Sequence, residues 1–249
     1  MTNARRAAAL FLIALCGPVL AGPACEKTTF EQSPFTVCVF DSRSMELELV
    51  LTDGTGKPLR SLARLAARKD ASRLRFAMNA GMFDDSGRPV GLYIEGGRQL
   101  HGANTADGPG NFHLKPNGVF SADADGTLHV ETTEQFLASG RTPLWATQSG
   151  PMLVIDGELH PKFAPDGTSR YLRNGVGLRD ADTALFVISD EPVSFGRFAR
   201  FFRDGLSCRE ALYFDGAVSS LWWPGGGRKD GSAFLGPLLA VFDKAEDPR

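Results

Sequence analysis

Four segments run apolar and then stop at a polar residue beside glycine: FAMNAGMFDD, TQSGPMLVIDG, RYLRNGVGLRD and LYFDGAVSS. Their tips carry Asn79, Ser149, Arg173, Asn174 and Asp215. Together these supply a carboxylate that can attack or activate water, a planar cationic fork suited to an anion, and neutral groups able to orient a hydroxylated ligand. Glycine lets the backbone approach closely and turn its amides outward, so a polar side chain at such a junction can face a ligand. One junction is an ordinary turn; four predict strand ends converging on a pocket.

Each residue also has a plainer reading. Asp-Gly after a strand is a common turn signal, Asn79 can occupy a left-handed turn, and Arg173 can pair with Asp180 or Asp182. Ser149 is not a serine-hydrolase nucleophile by pattern, because ATQSGP is not G-x-S-x-G and Pro151 excludes an immediate helix interior. In NFHLKPNGVF, Asn111, His113 and Lys115 alternate along an apparent strand, and His113 is open between ligand and structural histidine. The glycine cluster PGGGRKDGS lacks the Walker Lys-Ser/Thr ending and reads as a mobile loop at a pocket rim.

The elements that must position these residues are short. FTVCVFD, MELELVL, RLRFAMNA, VGLYIEG, NGVFSAD, GTLHVE, PMLVIDG, TALFVISD and REALYFDG each have strand character and end near Gly, Asp or Asn. Helical spacing occurs in PLRSLARLAARKD, in PVSFGRFARFFRDG and over a shorter TTEQFLAS. With 28 glycines and 15 prolines, the expectation is a single strand-rich α+β domain on a mixed or mostly antiparallel sheet with a few helices.

A net charge of −2 and the absence of a basic block leave no footprint for nucleic acid. Arg5 and Arg6 precede the apolar run AAALFLIALCGPVLAG, which reads as a secretory signal peptide over residues 1–21, with one domain over 22–249 and no stable membrane insertion after cleavage. The chain is then exported, periplasmic or secreted. In an oxidising compartment Cys25 and Cys38, flanking the turn-like EKTTFEQSPF, are the disulfide candidates, and Cys208 is a buried thiol. The histidines 101, 113, 129 and 160 lack metal-ligand spacing.

The ordered set NAGMF, GLYIEGG, NFHLKPNGVF, QSGPMLVIDG, RNGVG and ALYFDGAVSS resembles the phosphodiester glycosidase domain, from about Phe35 to about Leu235. An animal member of that family removes N-acetylglucosamine from a sugar phosphodiester. The family pattern reads Asp-Gly-Gly where this chain has Asp215-Gly216-Ala217. The resemblance implies an exported hydrolase that cleaves a sugar from a sugar 1-phosphodiester. Its leaving phosphate is already a weak base, which reduces the need for a proton donor. Asp215 then serves as nucleophile or as base for water, Arg173 holds the phosphate, and Asn79 completes the catalytic set. Ser149, Gly150, Asn174, Gly216, Ser219, Asn111 and His113 are the substrate-binding candidates.

Asp84, Glu95 and Asp190 are alternative or second carboxylates, and Trp222 or Trp223 is either core or a sugar platform. No cofactor is required; a divalent cation such as calcium stays open, although the turn Asp123 to Gly126 fills only the start of a calcium loop. The competing reading is a non-catalytic module binding carbohydrate or envelope glycan on the same fold. A third is a phosphodiesterase cutting the P–O bond.

Overall fold

A computed structural model describes residues 24–68, 70–231 and 234–245. The leader expected over residues 1–21 lies outside them. Among the described residues seventeen strands, numbered in chain order, form three sheets whose neighbouring strands all run antiparallel.

The first sheet has the order β1 (Cys25–Phe30), β2 (Ser33–Asp41), β13 (Thr183–Ser189), β12 (Asn174–Leu178), β14 (Ala211–Asp215), β10 (Met152–Ile155), β11 (Glu158–Leu159). The second runs β16 (Arg228–Lys229), β15 (Leu221–Trp223), β4 (Leu74–Asn79), β17 (Leu238–Asp243), β3 (Met45–Val50). The third runs β6 (Arg98–His101), β5 (Tyr93–Glu95), β9 (Trp145–Ser149), β7 (Gly118–Ala122), β8 (Leu128–Thr132). The expected α+β class holds, with antiparallel pairing throughout the described sheets.

Phe186 of β13 shows how the sheets share one core. Its ring lies 5.7 Å from Phe76 of β4, 5.5 Å from Phe120 of β7 and 6.4 Å from Phe214 of β14, so one buried side chain touches a phenylalanine from every sheet. Strand alternation sends Leu212 and Phe214 into this core, while Ala211 and Tyr213 face a second core on the opposite side of the first sheet.

That second core is covered by α3 (Phe195–Arg200), which continues as a π-helical turn through Gly205. Ser194 caps the helix by accepting from the Arg197 N–H at 3.1 Å. The other helices are α1 (Leu62–Ala66), shorter than its apolar spacing suggests, and α2 (Thr133–Ser139), opened by a reciprocal Thr132–Gln135 capping box.

Three local expectations are corrected. EKTTFEQSPF turns only at its centre: β1 and β2 pair along it, and Glu31 and Gln32, both at positive φ, make the two-residue turn. The Cys25–Cys38 disulfide joins directly opposed residues of this hairpin. The segment around Asn111, His113 and Lys115 is not a strand. It forms a 3₁₀ turn over Asn111–His113 and a cis Lys115–Pro116 bond, a place where proline offers no ladder donor. The glycine cluster is not a free loop: Pro224 to Lys229 fold back into a short hairpin, with β16 pairing Trp222 to Lys229 and Trp223 to Arg228.

At the end of β14 remote from Asp215, Glu210 accepts the Asp156 N–H at 2.7 Å. Burial, reinforced by the Asp156 charge, raises its pKa to about 7. The folded protein therefore retains a proton there that the unfolded chain has released, so this group's contribution to stability is present below about pH 4.5 and lost as pH rises through about 7. Urea melts of Glu210→Gln should show the loss between pH 5 and pH 8 reduced by on the order of 1 kcal/mol. An unchanged pH slope contradicts this assignment.

Candidate active site

The four polar junctions do converge. Asn79, the last residue of β4, meets Asn174, the first of β12, across the gap between the first and second sheets. The Asn174 amide donates to the Asn79 carbonyl at 2.8 Å and to Asn79 Oδ1 at 3.2 Å. Asn79 Oδ1 also accepts the Ser220 N–H at 2.8 Å. Both asparagines are buried, so each bond satisfies a group that would otherwise be costly to bury. Neither is a left-handed turn residue.

Ser149, the last residue of β9, brings in the third sheet. Its buried hydroxyl donates to the carbonyl of Phe214 at 3.0 Å, one residue before Asp215. Gly150 follows in a cis bond to Pro151, and a Cβ there would sit 2.7 Å from Asn117 Cβ and 2.8 Å from the Phe112 carbonyl oxygen. Both residues therefore seat the end of β9 against its neighbours.

Asp215 ends β14 and is 7% exposed. Its Oδ1 accepts the Ala217 N–H at 2.5 Å and the Val218 N–H at 3.0 Å, which pins the carboxylate over its own turn. Among the described residues no donor reaches Oδ2. The Ala217 contact uses only backbone, and its φ is not left-handed, so alanine in place of glycine leaves this turn intact. Ser219 Oγ lies within hydrogen-bonding distance of the Asp215 carbonyl, the Leu172 carbonyl and Asn174 Oδ1, at 3.0, 2.9 and 3.2 Å.

Arg173 is fully buried, at 0% exposure, and pairs with neither Asp180 nor Asp182. Nε donates to the Val193 carbonyl at 2.9 Å, Nη2 to the Ser169 carbonyl at 3.0 Å and Nη1 to the Tyr213 hydroxyl at 3.2 Å. The guanidinium carbon sits over Phe195, 3.6 Å from the ring centroid, and Phe195 stacks on Phe163, which stacks on His160. Among the described residues no carboxylate neutralises it. Burial lowers its pKa, opposed by Tyr213, but a guanidinium stays charged.

Tyr213 is the residue that strand-end reasoning missed, although its place two residues before Asp215 on one strand face is a period-two signal. Burial raises the pKa of its phenol, with Arg173 pulling the other way and the charge of Asp215 adding to the rise. The Asn111 side chain, near the phenol, also pulls its pKa down. Gly216 packs against it: a Cβ at Gly216 would lie 2.1 Å from Tyr213 Oη and 3.5 Å from Arg173 Nη1. Asp215, Gly216, Tyr213 and Arg173 thus occupy one small volume.

The remaining candidates are placed elsewhere. His113 binds the Ala106 carbonyl through Nδ1 at 2.9 Å and packs on Gly108, holding its own loop. Asp84 caps the Ser86–Arg88 turn, Glu95 accepts from Tyr93 Oη and the Leu51 N–H, and Asp190 is engaged by Thr36 and Arg228. Trp222 packs in a core beneath α1, with Lys229 Nζ 5.0 Å from its ring. Burial pushes the Cys208 thiol up to about 12. Asp125 accepts the Thr127 N–H and Asp123 faces His129 at 3.2 Å; among the described residues no cluster of three or more acidic, histidine or cysteine side chains could hold a metal. A cavity of about 550 Å³ lined by Thr52, Asp53, Leu59, Arg64 and Arg68 lies apart from Asp215.

Residues 72–235 match the phosphodiester glycosidase family. The Escherichia coli protein YigE, itself uncharacterised, is 37% identical over 164 residues, covering 66% of this chain and 64% of that protein, so the match spans less than two thirds of that relative's length. In fold, the chain resembles the catalytic domain of zebrafish N-acetylglucosamine-1-phosphodiester alpha-N-acetylglucosaminidase, auto-inhibited by its pro-peptide. The TM-score is 0.60 at 16% identity, over 89% of this chain and 82% of that one. It also resembles a Burkholderia pseudomallei protein described as exported, with a TM-score of 0.56 at 13% identity over 84% and 74% of the two chains. At such identities the two structures show a shared fold.

The contact at Gly216 gives a direct test of the site's compactness. Because Tyr213 is fully buried and cannot swing away, Gly216→Ala should displace the phenol and Arg173 together. Urea melts should show the variant destabilised by about 1–3 kcal/mol. Unchanged stability contradicts the arrangement.

Proposed function

Because the chain belongs to the phosphodiester glycosidase family, we propose that it hydrolyses a sugar from a sugar 1-phosphodiester, breaking the bond between the anomeric carbon and oxygen. The observation that carries this reading is one well-held carboxylate, Asp215, two residues along β14 from the Tyr213 phenol that Arg173 holds, a buried cation with no acidic partner among the described residues. Ordinary glycosidases need two carboxyl groups, because an alcohol leaving group must be protonated. A phosphate ester departs as a stable anion, so a second carboxyl group is dispensable. The other candidate carboxylates, Asp84, Glu95 and Asp190, are already committed to other partners.

In this scheme Oδ2 of Asp215 meets the anomeric carbon, either attacking it or taking a proton from the water that does. The departing phosphate gathers charge toward the pair formed by Arg173 and Tyr213. Arg173 acts from one layer beneath the surface: its fork is spent on Val193, Ser169 and Tyr213, so it contributes a fixed positive charge and polarises the phenol that reaches the site. A charge held in place by neutral dipoles needs no reorganisation as the leaving group develops charge. Asn79, Asn174 and Ser219 set the depth of the sugar site by locking the strand ends. These residues supply every charge the step requires, and the scheme assigns none of it to a cofactor.

The protein acts outside the cytoplasm. The apolar leader behind Arg5 and Arg6, the Cys25–Cys38 disulfide and the similarity to a protein described as exported support that placement.

N-Acetylglucosamine is the first sugar to test, given the activity in the name of the zebrafish neighbour. The wild type should release reducing sugar from a panel of sugar 1-phosphodiesters. Asp215→Asn, close to isosteric, should lower kcat by about a thousandfold or more while leaving the melting temperature within a few degrees. Full activity in that variant removes Asp215 from the mechanism, and binding without release by the wild type establishes the non-catalytic module instead.

A further inference from the structure

The outer edge of the site carries an aromatic and an aliphatic side chain in solvent. Tyr171 is 54% exposed and Leu172 is 40% exposed, immediately before the fully buried Arg173. Their backbone is held firmly. Tyr171 forms an antiparallel bridge with Val193, donating to its carbonyl at 3.2 Å and accepting its N–H at 2.9 Å. The Leu172 carbonyl lies 2.9 Å from Ser219 Oγ, which ties it to the Asp215 turn. The Tyr171 ring centroid is 5.6 Å from the Arg173 guanidinium carbon, against 5.4 Å for the buried Tyr213. Arg173 therefore has a buried phenol on its inward flank, beside Gly216, and an exposed phenol on its outward flank.

This order assigns directions to a bound phosphodiester. The anomeric carbon belongs at Asp215 and the phosphate near Arg173 and Tyr213. The group esterified to the far side of the phosphate must then leave outward, across Tyr171 and Leu172. We propose that these two residues form the leaving-group subsite, and that it selects a leaving group presenting an apolar face, such as an aryl ring or the C–H face of a pyranose. This rests on the phosphodiester reading above and adds to it the class of the leaving group. A tyrosine offers such a face at little conformational cost, since its ring is held by two torsions on a bridged backbone.

The test uses benzyl phosphate and methyl phosphate, esters that carry the leaving group without a glycosidic bond, so binding is read apart from turnover. Calorimetric titration of the wild type should give benzyl phosphate about tenfold tighter than methyl phosphate. Tyr171→Ala should bring the two within about twofold, with methyl phosphate affinity unchanged, and Tyr171→Phe should keep the preference. Because the ring is exposed and the bridge is made by backbone, the alanine variant should melt within a few degrees of the wild type.

Equal affinities in the wild type, equal losses for both esters in Tyr171→Ala, or no measurable binding of either ester overturns the subsite. Failure of the wild type to release sugar from any phosphodiester sinks the glycosidase reading separately, while a Tyr171-dependent benzyl preference would still stand.

Discussion

A guanidinium buried without a carboxylate is the constraint around which the site is built. Taking such a charge out of water is expensive unless its donors are met and its face is covered. Four neighbours of Arg173 answer those needs: the Val193 and Ser169 carbonyls and the Tyr213 phenol accept its hydrogens, and Phe195 covers its face. The position of α3 follows from this, since Phe195 opens the helix and Ser194 caps it just after Val193. So does the path of the preceding segment, whose Ser169 carbonyl must turn inward. An acidic partner would have neutralised the charge at lower cost. Its absence among the described residues leaves the field of Arg173 to the space beside Asp215.

The three-sheet architecture makes that space possible. Phe186 joins the sheets in the apolar core, and the buried Asn79, Asn174 and Ser149 join their strand ends. The polar joints serve where apolar packing cannot, because a strand end leaves backbone groups that need partners. Asn174 satisfies the Asn79 carbonyl and Ser149 the Phe214 carbonyl, which fixes the depth at which Asp215 stands.

Much of this was legible in the residues. The abrupt stops at Asn79, Ser149 and Asp215 marked strand ends, whereas Asn174 opens its strand instead of closing one, and the ordered motifs pointed to the family that the matched residues show. The strand-rich α+β class followed from short apolar runs. The partners of Arg173 were not legible, because the Val193 carbonyl and the Phe195 ring reach it from twenty residues or so along the chain and carbonyl direction leaves no trace in side-chain type. The sequence pattern also failed where backbone conformation ruled. Glu31-Gln32 made a tight hairpin from residues that are not usual turn formers, and the alternating run around His113 forms a 3₁₀ turn in place of a strand. Ser149 looked like a ligand-facing hydroxyl, yet its proton is committed to Phe214.

Asp215 directs cleavage to the anomeric carbon in the proposed reaction, and the phosphate leaves intact. Hydrolysis of a sugar 1-phosphodiester in oxygen-18 water, followed by mass spectrometry of the phosphate monoester product, tests this most directly. Cleavage at carbon predicts a phosphate product free of label, its bridging oxygen having come from the substrate. Label in the phosphate would mean attack at phosphorus, and would contradict the assignment of Asp215 to the anomeric carbon.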